Sequence, residues 1–338
     1  MAGPTTYPSV KRFIGFAKET TPGTPVAPVA YMPITKFDWN DKPTWLKDMG
    51  LRGVMGSDAF NIIQGTEIGE LDFEGPVFAD ELGYLLGNLL GTDDTTGASA
   101  PFTHKFSLNN SGSGQPTTHT ISQYYGITPT SGTRQFAGTC VSEIGFKFNA
   151  ESELLTYTAK ATSWISNTAG SAPTSTFTGA KPLPSWQAVL GIAGPASGGT
   201  QVLTVNSGEF NFKRALKVYF TAQNSQNPYI IQRGGVTADW KLTFVAADET
   251  PLTYMRNNTQ PQVQFILNNG LTLGNALVVQ VDMQQAAFTE AKPNFGEEAI
   301  LWDCTGSAVF NSTNVGSSAG LGPATVSLQN AIAASTYI

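Results

Sequence analysis

Histidine, cysteine and clustered positive charge are all scarce in this 338-residue chain, and each scarcity removes a class of function. The two cysteines, Cys140 and Cys304, lie too far apart to define a disulfide framework or a zinc spacing, so each is read as a small apolar filler in a strand. The two histidines, His104 and His119, fall inside strand-like segments with no Cys, Asp or Glu at ligand spacing, which favours structural roles over a triad or a metal centre. No run of Lys or Arg is present and the formal charge is −6, which argues against gripping nucleic acid by phosphate neutralisation. The acid excess is concentrated in residues 1–167. No stretch approaches a membrane span, and the N-terminus lacks a basic segment followed by an apolar run, so the chain is expected to act where it is made.

What the chain does contain is 41% hydrophobic residues, 11% aromatics, 35 glycines and 20 prolines, with only 13% charged residues. That composition suits short strands joined by many turns rather than disorder. In Glu70-Leu71-Asp72-Phe73-Glu74 the side-chain period of two sets three carboxylates on a wet face and Leu71 with Phe73 on a buried one. Ala79–Leu90 then changes period: Leu82, Leu85, Leu86 and Leu89 recur at helical spacing, with Asp80 and Glu81 in the first turn and Gly91 placed to end it. A similar sequence returns in Val236–Asn257, where Trp240, Leu242 and Phe244 form an apolar strand face. There Asp248 precedes a helix with Pro251 in its first turn and with Leu252 and Met255 as core positions.

Matching Phe37 with Phe210, Ile62 with Ile230, Leu71 with Leu242 and Leu82 with Leu252 gives spacings close to half the chain, with a short slip after the Ile-Ile-Gln segments. The expected architecture is therefore mainly β: duplicated antiparallel β-sandwich domains, each with one short flanking helix. The division is 1–167 for the first domain, 168–200 for a linker and lead-in strand, and 201–338 for the second. Between these landmarks, Asp41–Ser57 and Asp93–Ala100 read as loops, Cys140–Asn149 as one arm of a hairpin returning through Leu155–Ala161, and Leu277–Gln284 as a strand paired with Ala299–Phe310. Ser166–Pro184 has linker composition.

Chemistry finds little support. Asp80-Glu81 and Asp248-Glu249 are explained by helix capping, Asp93-Asp94 by a solvated loop, and Gly316–Gly322 lacks the Lys-Ser or Lys-Thr of a phosphate loop. No catalytic residue, metal or cofactor is assigned, and the expectation is a protein that is not an enzyme.

Phe13-Ile14-Gly15-Phe16-Ala17-Lys18-Glu19-Thr20-Thr21-Pro22-Gly23-Thr24, the Glu70–Phe78 strand and the Asp80–Gly91 helix resemble the tail tube proteins of long-tailed, siphovirus-like bacteriophages. That resemblance implies a virion protein, assembled in the host cytoplasm, whose sandwich domains form stacked rings around a continuous inner barrel. It further implies passage of viral DNA without specific binding, and contact with a tape measure protein and with tail tip or terminator proteins. A duplicated chain implies trimeric, pseudo-hexameric rings, with hexameric rings as the alternative. Carboxylates on the lumen would repel DNA, so Glu70, Asp72 and Glu74 are lumen candidates, with Gln280 and Asp282 after them. Stacking contacts are expected from the arm 1–12, the loops Asp41–Ser57 and Asp93–Ala100, and Ser335–Ile338. Two other readings stay open: a decoration or tail-fibre protein, and a carbohydrate-binding β-sandwich.

Overall fold

Alternating apolar and polar residues, punctuated by Gly and Pro, place most of the chain in antiparallel strands. The computed structural model describes residues 9–53, 55, 59–125, 132–151, 153–169, 176–197, 200–270, 277–296 and 298–338. In the first half the strands are β1 (Phe13–Lys18), β2 (Ala30–Met32), β3 (Lys36–Asp48), β4 (Asn61–Pro76), β5 (Asp94–Thr96), β6 (Phe102–Phe106), β7 (His119–Tyr124), β8 (Thr133–Asn149), β9 (Thr156–Ser163) and β10 (Asn167–Thr168). The helix α1 (Leu82–Leu89) lies between β4 and β5. The second half has β11 (Ala188–Ile192), β12 (Val205–Tyr219), β13 (Ile230–Val245), helix α2 (Thr250–Arg256), β14 (Val263–Asn268), β15 (Val278–Met283), β16 (Ala286–Asn294), β17 (Leu301–Ala308) and β18 (Thr325–Asn330).

These strands form two sheets, one of 12 strands and one of 6, the smaller ordered β11-β14-β15-β18-β6-β5. Through the larger sheet runs an unbroken antiparallel series, β3-β4-β9-β8-β12-β13-β17-β16. Both sheets contain strands of both halves: β8 pairs with β12 in one, and β18 with β6 in the other.

The unbroken series consists of the same four-strand unit twice. In β3-β4-β9-β8 and in β12-β13-β17-β16 a long hairpin pairs through its second strand with the later strand of a second hairpin. Irregularities fall at matching places. The β3–β4 register shifts between Pro43 and Trp45, opposite Gly65, and the β12–β13 register shifts between Arg214 and Leu216, opposite Gly234. The β8–β9 register shifts at Ser142, whose hydroxyl donates to the Lys160 carbonyl at 3.1 Å; the β16–β17 register shifts at Thr289, whose hydroxyl donates to the Thr305 carbonyl at 3.1 Å. With these bulges as fixed points, Leu71 corresponds to Trp240 and Phe73 to Leu242, with no slip. Sequence matching of Leu71 to Leu242 is two residues out, a shift that keeps every side chain on its own face and so leaves no trace in alternation.

The core lies on the inner face of this series, where Phe73, Tyr157, Phe146, Phe212 and Phe210 are all but inaccessible. Burying each is worth about 1.5–3 kcal/mol relative to leaving it in water. Every residue of α1 is buried, as befits a helix that is apolar but for Asn88, whose side chain bonds with His119, the Thr139 carbonyl and the Val141 amide. Its glycines receive residues 337–338: a Cβ on Gly83 would stand 2.5 Å from the Tyr337 ring, and one on Gly87 2.5 Å from Ile338. Tyr337 is fully buried and its hydroxyl bonds with Asn330 and the Asp80 carbonyl, so the Ser335–Ile338 segment expected as a free contact tail is anchored in the core through Tyr337, while Ser335 stays exposed.

Three other expectations are corrected. Asp41–Asp48 is the outer part of β3 and not a loop, because the bulge at Thr44 breaks the alternation without ending the strand. Val278–Met283 pairs with β14 and β18, while the partner of Leu301–Ala308 on its outer side is β16, a polar strand containing Pro293 that carries no strong strand signal. Asp93 is buried against His104 and not solvated, and the loop expected at Asp93–Ala100 includes β5. Residues 1–8 of the expected arm, and 54, 56 and 57 of the expected loop, lie outside the described residues.

Candidate functional site

The outer face of the eight-strand series follows from the alternation that builds its core. Residues directly opposite across a ladder share a face, so Asp38, Asp72, Lys160, Glu143 and Lys213 form one polar row across five strands. Glu209, Lys241, Thr305 and Glu290 form another across the remaining quartet. Glu70, Asp72 and Glu74 lie together on this face, as the period of two requires.

Four of these carboxylates are paired. Lys36 lies 3.4 Å from Asp38 and 3.7 Å from Asp72, Lys42 pairs with Glu70, and Glu143 receives both Lys160 at 3.4 Å and Lys213 at 3.5 Å. The hydrogen bond to Asp38 and the charge of Asp72 hold the Lys36 ammonium above its ordinary pKa. These are solvated ion pairs, each worth little to stability. Their chemical consequence is that these lysines already have partners.

Gln280 and Asp282 are elsewhere. They belong to β15 in the smaller sheet, where Asp282 accepts hydrogen bonds from Gln262, Gln264 and Gln284 at 3.0–3.2 Å. The sequence candidates therefore occupy two surfaces. Among the helix positions, Leu82, Leu85, Leu86 and Leu89 are buried, whereas Leu252 and Met255 are partly exposed.

The unbroken series ends in two strands, β3 and β16, each paired on one side only among the described residues. An unpaired edge is a template for another strand unless something blunts it. Both ends carry proline, Pro43 and Pro293, the residue type that strand interiors exclude. Beyond Pro43 the β3–β4 hairpin projects as an arm whose apolar side chains face solvent: Trp45, Leu46, Ile62 and Ile63 are each more than half exposed. The matching β12–β13 hairpin exposes Tyr219 and Tyr229, and its Gln226 carbonyl accepts from the Glu67 amide at 3.0 Å, so the two arms touch. Exposed apolar residues in such number mark an interaction surface. Trp45 and Leu46 fall in the segment expected as a loop, and the exposure of all four is not legible in sequence, because it depends on the arm outrunning its neighbours.

The ionisable groups inside the molecule serve the fold. Glu19 accepts from Gly23, Thr118, Thr120 and Gly138. Burial opposes protonation of His104, but the Asp93 carboxylate at 3.0 Å and the Ile332 carbonyl outweigh it and raise the imidazole's pKa. Burial lowers His119 to about 4, which leaves it neutral, accepting from Asn88 and donating to the Tyr337 carbonyl. Arg214 and Arg233, both buried, donate to carbonyls around α1, with Arg214 Nη1 2.6 Å from the Leu89 oxygen at the helix end. Glu81, expected as a helix cap, is buried beside Asp80 and pushed up to about 8, chiefly by burial. It is neutral at pH 7 and contributes no charge to the helix terminus. Among the described residues no group of three or more His, Cys, Asp or Glu is placed to hold a metal ion, and no helix is long and apolar enough to cross a membrane.

A polar, ion-paired sheet with an open edge at either end and apolar arms at one rim defines a structural β-protein built to meet other chains. The chain belongs to the phage tail tube protein family, whose family model matches residues 9–320, and is thus a structural component of the virion tail. A comparison with curated proteins finds no match.

Proposed function

We propose that copies of this chain join edge to edge through β3 and β16 into rings, that the rings stack into a hollow tail tube, and that the polar face of the eight-strand series lines the bore. The observation that carries this reading is the β8–β12 ladder: inside one chain, the last strand of one quartet already seats the first strand of the next. Each chain supplies two quartets, so three chains supply the six of a pseudo-hexameric ring. The quartets are two copies of one module, in domains bounded at 1–167 and 201–338 with 168–200 between them. The apolar arms reach the adjacent ring, where burying Trp45, Leu46, Tyr219 and Tyr229 drives stacking.

The lumen conducts viral DNA without holding it. Lys36, Lys42, Lys160 and Lys213 are engaged by carboxylates on the same face, which leaves fewer cations to hold phosphates, and the field of the wall decays over about 8 Å at physiological ionic strength. The same bore holds a tape measure protein during assembly, and tail tip and terminator proteins close the ends; the function is mechanical, without catalysis. Negative-stain microscopy of the purified chain tests the reading. Hollow stacked rings are expected, and compact single particles or solid fibres at high protein concentration would overturn it.

A further inference from the structure

The two quartets contain a template for the joint between chains. In the internal joint Glu143 lies opposite Lys213, Gly145 opposite Asn211 and Lys147 opposite Glu209. The bulge at Ser142 matches the bulge at Thr289, which sets Glu143 on Glu290; the shift after Arg214 matches the shift after Pro43, which sets Lys213 on Lys42. We infer that β16 of one chain pairs with β3 of the next in one register, with Glu290 opposite Lys42, Lys292 opposite Asn40 and Asn294 opposite Asp38 of the second copy. This rests on the ring reading above and deepens it.

Charge and exposure fit that occupant. The internal joint contains the Glu143–Lys213 ion pair at 3.5 Å, and the inferred joint sets Glu290 against Lys42 in the same place. Within the chain Glu290 lies opposite Thr305 and has no ion pair among the described residues, whereas Glu143 has Lys160 there. Both Glu290 and Lys42 are exposed. Phe295, 71% exposed just beyond β16, corresponds to Phe148, which is buried and stacks on Phe210. In the inferred joint Trp39 of the second copy, half-buried at its own edge, takes the place of Phe210 and covers Phe295.

Two experiments on the full chain test the register. Glu290→Lys is expected to reduce the assembled fraction by about tenfold or more, since like charges meet across the joint, and Lys42→Glu added to it is expected to restore assembly. Circular dichroism of each variant before assembly confirms that the chain has folded. Separately, assembled Asn40→Cys/Lys292→Cys chains are expected to form a ladder of chain-to-chain disulfides on a non-reducing gel, and the displaced pair Asn40→Cys/Asn294→Cys is not. Tubes whose ladder comes from the displaced pair, or which ignore the charge reversal, would overturn the register while leaving the ring reading intact. Wild-type chains that form no rings would overturn the ring reading itself.

Discussion

Helices α1 and α2 follow corresponding strands, β4 and β13, yet every residue of α1 is buried and none of α2 is. The difference starts in composition. LGYLLGNL has no polar side to turn to water, while TPLTYMR lays Tyr254 on Phe288 and leaves its other side wet. Such a helix needs a cover, and part of the cover on α1 comes from distant sequence: Tyr337 and Ile338 on its glycines, and Arg214 at the Leu89 carbonyl. Equal topology does not give equal energetics. One copy of the module is sealed inside the molecule and the other is left as a surface.

The sharpest way to break that comparison is to shorten one leucine in each helix. Leu86→Ala in α1 is expected to cost about 3–5 kcal/mol, since the site is fully buried. Leu252→Ala in α2 is expected to cost about 1 kcal/mol. Urea unfolding of the unassembled chain reads both, and equal losses would mean that the helices are equivalent after all. Next in size is Gly83→Ala, which sets a methyl carbon 2.5 Å from the Tyr337 ring. A loss of about 2 kcal/mol is expected in the same urea unfolding measurement.

Two of the buried ionisable groups around α1 sharpen the comparison through pH. The folded-state pKa of Glu81, about 8, lies above its unfolded value, so the stability it contributes is full below about 4.5 and is lost as pH rises to about 8. The folded-state pKa of His119, about 4, lies below its unfolded value, so its contribution is full above about 6.5 and is lost as pH falls to about 4. Glu81→Gln is therefore expected to flatten the alkaline side of the melting-temperature profile and leave the acid side to His119. An unchanged alkaline slope would show that Glu81 is ionised in the folded chain. The smallest effect belongs to the polar face: Glu70→Gln is expected to change stability by less than about 0.5 kcal/mol, whereas DNA retention by tubes with Glu70, Asp72 and Glu74 all neutralised should rise, because Lys36 and Lys42 lose partners.

The face alternation of β4, β9 and β13 was readable directly, because half-burial writes a period of two into Leu71, Phe73, Tyr157, Ala159, Trp240 and Leu242. The repeat was readable for the same reason, though its register was not, since a two-residue shift preserves faces. What escaped was set by long-range contacts. Asp93 and Glu81 look like surface acids until His104 and Tyr337 are brought near them, and Gln280 and Asp282 mimic the Glu70 row on a different sheet. The edge strand β16 was hidden by the features that suit it to an edge, a proline and charged residues in place of a hydrophobic run.

Residue 337 also sets a clock on synthesis. A nascent chain exposes the Leu-rich helix early, yet the aromatic ring that seals its glycine side emerges only after both four-strand units have been translated. Sister chains held on neighbouring ribosomes would thus meet with an unsealed core, and holding back polymer growth until that ring has docked would keep half-made subunits out of the growing filament.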